Sequence, residues 1–151
     1  MAVLSAGVEI AHIGNPNVFS FVADANDAYY RGALVFIDTG GNVVVGPGAG
    51  DKLAGICRKT NTAVLAGENV EVYIDGVFEV PCSSIAVTDE GSALFIDAAA
   101  FSDNTADAIV GAFGANDILV GKILKYSGGD RCWVQLHAID GLWVATAGWG
   151  G

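Results

Sequence analysis

Along most of this 151-residue chain apolar and polar residues alternate with a period of two, the spacing that sends successive side chains to opposite faces of a strand. In Val70-Glu71-Val72-Tyr73-Ile74 it puts Val70, Val72 and Ile74 on one face and Glu71 and Tyr73 on the other. No sustained apolar stripe at helical spacing competes with it. The pattern predicts strands at Val8–Ile13, Val18–Ala23, Leu34–Asp38, Asn42–Val45, Leu53–Lys59, Asn69–Ile74, Val77–Val80, Ala93–Asp97, Ala108–Ala112, Leu119–Tyr126 and Arg131–Ile139. Turn chemistry separates them, at Asn15-Pro16, Thr39-Gly40-Gly41-Asn42, Gly46-Pro47-Gly48, Ala66-Gly67-Glu68-Asn69, Asp89-Glu90-Gly91 and Ser127-Gly128-Gly129-Asp130. Asp75-Gly76 supplies the positive backbone angles of a two-residue primed turn, so it predicts a hairpin joining the strands on either side. Pro81 lacks an amide hydrogen and predicts the end of the second of these strands, or an edge position. Many short strands at regular spacing predict an all-β barrel or sandwich.

The stretch from Gly32 to Pro81 is echoed from Gly91 to Trp143. Ala33-Leu34 and Phe36-Ile37-Asp38 return as Ala93-Leu94-Phe95-Ile96-Asp97, Val45-Gly46 as Val110-Gly111, Asp51 to Gly55 as Asp117 to Gly121, and Ile74-Asp75-Gly76 as Ile139-Asp140-Gly141. Asp51 to Asp117 and Gly55 to Gly121 are both 66 positions, so the later matches share a register. This predicts a compact domain of two similar β-rich halves. Residues 1–31 form an extension or first strands, 32–140 a duplicated core and 141–151 a Trp/Gly-rich tail. Asn42–Val45 and Asp103–Asp107 read as the same variable connection in each half. The tail carries Trp143 and Trp149 and no charge, which predicts either a last strand of its own domain or a segment docked on a neighbouring subunit.

Composition narrows the classes of function. Hydrophobic residues are 52% and charged ones 16%, few charges for a wetted surface, which predicts apolar contact with partners. A net charge of −10, from 17 acids against 7 bases, opposes a nucleic-acid grip, which needs a basic stripe to displace counterions from phosphates. No run approaches the ~18 apolar residues of a membrane helix, and Met1–Ala6 lacks the basic start of a signal peptide. The expectation is a cytosolic, unprocessed chain with neither nucleic-acid nor membrane partner. Cys57, Cys82 and Cys132 show no C-x-x-C spacing and read as small buried thiols.

Catalysis finds little support. His12 and His137 are too few for a zinc site without other ligands, and His137 falls in an alternating strand. No G-x-S-x-G elbow, P-loop or G-x-G-x-x-G fingerprint is present. Asp103 to Asp107 has carboxylates at the first and fifth places of a calcium loop, but Thr105 is third and Ala108 stands where Gly is needed. Asp89-Glu90 reads as turn chemistry. Tyr73-Ile74-Asp75-Gly76 resembles the substrate hairpin of trimeric dUTP nucleotidohydrolases without their Gly-rich phosphate arm. A small hydrolase with a site between subunits, using Asp75 or Asp89, is the weakest reading. The expectation is no enzyme, no metal and no cofactor.

The order Gly50-Asp51-Lys52-Leu53-Ala54-Gly55, Ala66-Gly67-Glu68-Asn69-Val70-Glu71-Val72, Gly76-Val77-Phe78-Glu79-Val80-Pro81, Gly91-Ser92-Ala93-Leu94-Phe95, Val120-Gly121 and Val134-Gln135-Leu136 resembles the tailed-phage capsid decoration, or cement, proteins of the DUF2190 family, over about Leu34 to Leu136. The resemblance implies a β-barrel or β-tulip-like protein on the outer surface of the phage head. There it would staple major capsid protein subunits, as a homotrimer or, second, a dimer. The tyrosine-bearing first 31 residues and the tryptophan-rich end depart from the family pattern. Val3, Leu4, Tyr29, Tyr30, Trp143 and Trp149 are the candidate partner contacts. Their aromatic rings also suit the alternative, a glycan- or host-binding module of a virion.

Overall fold

A computed structural model describes residues 12–14, 16–83, 85–98, 108–109 and 117–136. The strands are β1 (His12–Ile13), β2 (Val18–Val22), β3 (Asp27–Tyr29), β4 (Leu34–Ile37), β5 (Val43–Val44), β6 (Lys52–Cys57), β7 (Asn61–Val64), β8 (Asn69–Tyr73), β9 (Val77–Ser83), β10 (Ala93–Asp97), β11 (Ala108–Ile109), β12 (Asp117–Gly128) and β13 (Arg131–Leu136), with a 3-10 turn at Val87–Asp89. The rest of the strands predicted at Val8–Ile13, Ala108–Ala112 and Arg131–Ile139 lies outside the described residues, as do Asp103–Asp107 and the tail.

The protein is all-β, in three sheets. The first runs β2-β8-β6-β4-β5 and the second joins β9, β11, β10, β12 and β13, with β9 pairing both β11 and β13, so its ladder returns to its starting strand. In the first sheet the matching contact shrinks to one parallel bridge, Ala23 to Val43. β3 and β7, which alternation did not reveal, pair with each other.

The two larger sheets share one plan. Strand β4 pairs with β6 across a bulge between Val35 and Phe36, and β10 with β12 across one between Leu94 and Phe95. Ile74 N–H donates to Asn17 O at 3.0 Å, and Leu136 N–H to Gly76 O at 2.9 Å. Phe19 faces Val72, as Phe78 faces Val134. Residue by residue, then, β2 corresponds to β9 and β8 to β13. The repeated strands thus begin earlier than the echo from Gly32: β2, within the stretch 1–31 expected as an extension or first strands, opens the first sheet, and β9 opens the second.

That phase corrects the expected hairpin. Strands β8 and β9 do not pair; Asp75-Gly76 carries the chain from one sheet to the other. Asn17 donates to the Asp75 carboxylate from its backbone N at 2.8 Å and from Nδ2 at 2.6 Å, while Gly76 takes a φ of +111°. The positive backbone angle that suits a hairpin serves a crossover equally well, because both need only a residue without Cβ. Pro81 does not end β9, which runs on to Ser83.

Two apolar layers follow from alternation. Val35, Val43, Ala54, Cys57, Val70 and Val72 fill the inside of the first sheet. Leu34, Phe36, Leu53 and Ile56, on its other face, pack with Phe78, Leu94, Val120, Ile123, Cys132 and Val134 of the second. Strands β4 and β6 are therefore buried on both sides, which is why they read as continuous apolar runs.

Candidate interaction surfaces

The expected contact residues fall in different places. Tyr29 is in the core at 1% exposure, and its hydroxyl donates to Val43 O at 3.0 Å. Burial, then the nearby Asp27 charge, holds its phenol well above the usual tyrosine range. It offers no ring to a partner, which corrects its choice as a contact. Its position in β3, a strand the alternation did not reveal, explains why its role was missed. Tyr30 is half-buried beside it. Val3, Leu4, Trp143 and Trp149 lie outside the described residues.

Sequence reasoning placed β2 as a strand but passed over it as an exposed surface. Of the seven large hydrophobics exposed among the described residues, Val18 (41%), Phe19 (54%) and Val22 (41%) lie in this one strand. Leu65 sits in the turn whose Gly67 N–H donates to Ala23 O at the end of β2. The signal was available, since Val18-Phe19-Ser20-Phe21-Val22 has no charge and breaks the apolar-in, polar-out rule. Phe19 and Phe21 stack tilted, centroids 4.9 Å apart. Their counterparts Phe78 and Val80 are buried, because there β9 is flanked on both edges, by β13 on one and by β1 and β11 on the other.

Charge next to β2 is locally balanced. Glu71, opposite Ser20 on β8, binds Arg58 at 2.9 Å and Lys59 at 3.1 Å. The Lys59 hydrogen bond, with the two positive charges, holds its carboxyl below the usual range. A chain of net charge −10 thus presents a nearly neutral strip here.

The chemical groups are otherwise structural. Cys57, Cys82 and Cys132 are free and buried. Burial pushes the Cys57 thiol up to about 11, and the thiol hydrogen bond with Cys132, together with burial, raises that of Cys82. Asp75 is taken up by Asn17, and Asp89 Oδ2 accepts from Ala86 N at 2.8 Å in its own turn. Among the described residues no three His, Cys, Asp or Glu side chains gather as a metal ion would need.

The sequence model of the family described as structural cement protein (E217 gp24/Pam3 gp6) matches residues 1–137. No curated protein matches the chain.

Proposed function

Because this chain belongs to the structural cement protein family of phages, a component of the phage capsid, we propose that it binds the outer surface of the head and bridges neighbouring subunits of the major capsid protein as a homo-oligomer. The family match over residues 1–137 carries this reading. Physical features support it. An acidic chain suits the exterior of a shell whose DNA lies inside. Repetition over a symmetric lattice turns weak contacts into firm attachment through avidity. The cadence shared with the DUF2190 decoration proteins points the same way. The work is mechanical: the protein resists outward pressure across seams and makes or breaks no bonds.

The expected trimer or dimer, the domain division at 31 and 140, and the contacts at Val3, Leu4, Tyr30, Trp143 and Trp149 belong to this proposal. Apolar and aromatic anchors tend to dominate interface energy, so we expect Trp143→Ala or Trp149→Ala to weaken attachment while leaving the unfolding midpoint in place. The test is co-sedimentation of purified protein with undecorated expanded heads. Saturable binding that strengthens the heads against heat is the expected result; protein left in the supernatant at every concentration overturns the reading.

A further inference from the structure

We propose that the outward face of the β12–β13 hairpin docks on the acidic loops at the end of β2 in a second copy of this chain. This deepens the homo-oligomer of the proposed function and rests on that part of it, not on attachment to the head.

The docking strip follows from strand register. In β13, Cys132, Val134 and Leu136 are buried, so Arg131, Trp133 and Gln135 point the other way. Opposite residues of an antiparallel pair share a face, which sets Lys122 beside Gln135 and Lys125 beside Trp133. Three positions apart, the two lysines would fall on opposite faces of a regular strand. The bulge between Ile123 and Lys125 brings them to one side and leaves Leu124 without a partner in β13, 43% exposed. Lys125 and Gln135 are exposed and Trp133 is half-buried. Arg131 holds Glu79 at 3.1 Å with its side chain still 42% exposed, and among the described residues no carboxylate is ion-paired with Lys122 or Lys125. Three of the chain's seven bases therefore meet one acid around a tryptophan, on a chain of net charge −10.

The occupant is set by charge. Tryptophan and arginine are enriched where proteins touch, and a basic strip favours an acidic partner surface. The chain itself carries one. Ala23 N–H donates to Glu68 O, Gly67 N–H to Ala23 O and Ala66 N–H to Asn26 Oδ1, which ties the loop at residues 24–26 to the turn at residues 65–68. Asp24, Asp27 and Glu68 are exposed there, and among the described residues no base is ion-paired with them. Leu65, 56% exposed, stands among these acids as Leu124 stands among the lysines. Each patch thus joins an apolar group to charges of one sign, and the two signs are opposite. Docking one unlike patch on the other, repeated from copy to copy, closes into a ring when the rotation returns to its start. Two chains of net charge −10 repel at a distance, but salt at about 0.15 M confines this to ~8 Å, so the facing charges govern the docked pair.

Sedimentation equilibrium of the full chain tests this at ~100 μM, where a contact of micromolar affinity is mostly formed. The wild type is expected above the 15.4 kDa of one chain. Lys122→Glu with Lys125→Glu makes both patches acidic, and Asp24→Lys with Asp27→Lys makes both basic. Each pair should raise the dissociation constant about tenfold or more, with the urea midpoint unchanged. The chain carrying all four substitutions has the two signs exchanged, keeps the net charge of −10 and should assemble again. A single-chain mass for the wild type overturns the proposal, as does an assembly that survives either pair, or a folded four-fold variant that stays single. Co-sedimentation with heads is a separate measurement, so chains that bind heads singly would sink this contact and leave the capsid reading standing.

Discussion

Alanine at Gly121 should cost far more than alanine at an ordinary strand glycine. A Cβ built on Gly121 collides with the carbonyl oxygen of Gln135 and lies 2.9 Å from Val134 Cγ1, where carbon atoms prefer about 3.5–4.0 Å. The obstructing oxygen is backbone, so no rotamer change relieves it and β12 must move off β13. Overpacking of this kind costs about 1–3 kcal/mol, and each ladder hydrogen bond stretched beyond use adds about 0.5–1.5 kcal/mol. With two such bonds lost, the variant should be destabilised by about 2–6 kcal/mol. A domain has about 5–15 kcal/mol in all, so the loss is plain in urea unfolding followed by tryptophan fluorescence. Gly55→Ala meets the same obstruction at Tyr73 O and Val72 Cγ1, with a φ of +153° besides, and should be at least as damaging. Gly91→Ala is the control: its φ is +88° but nothing lies within 4 Å, and a left-handed non-glycine residue costs about 1–2 kcal/mol. If Gly121→Ala loses no more than Gly91→Ala, the reasoning from close strand approach is wrong.

Other expectations can be checked alongside. Tyr29→Phe removes one of the two hydrogen bonds that Val43 O accepts, leaving the one from Asp24 N–H, and should lower stability by about 0.5–1.5 kcal/mol in the same assay. Because the folded-state pKa of Tyr29 is raised, its contribution is complete below the ordinary tyrosine value of about 10 and is lost as pH climbs beyond it; absorbance at alkaline pH should show one phenol that ionises only on unfolding. The three buried thiols should resist a charged disulfide reagent at pH 8 in the native protein and react together in urea. Glu71, with a lowered folded pKa, adds stability that is present above about 4.3, the ordinary glutamate value, and lost as pH falls through its folded value. Glu71→Gln should therefore flatten the acid limb of a plot of unfolding midpoint against pH, and an unchanged limb would remove the ion pairs from the account.

Much of the fold was legible beforehand. Alternation and short apolar runs between turn residues located β2, β4, β6, β8, β9, β10, β12 and β13, since a strand with one buried face repeats every second residue and one buried on both faces reads as an unbroken apolar run. The pairing of Gly55 with Gly121 was visible as a repeated residue type, and the structure supplies its cause: each sits where a neighbouring strand's carbonyl leaves no room for a Cβ. Strands β3 and β7 escaped because Asp27–Tyr29 and Asn61–Val64 are too short to show a period of two, and they pair with each other in a sheet of their own.

Local pattern therefore decided that the chain makes strands, where they turn and that they come in two like sets, because alternation and turn chemistry act within a few residues. Which strands meet was decided elsewhere. Asp75-Gly76 has the chemistry of a hairpin, yet it changes sheets, because both edges of β8 are taken, by β2 and β6, while β9 completes the second ladder with β11 and β13. Tyr29 looks like a surface ring and lies inside, while Phe19 looks like core and lies outside. Burial depends on what covers a strand's far edge, and that is a property of the assembled sheets, not of any stretch of sequence.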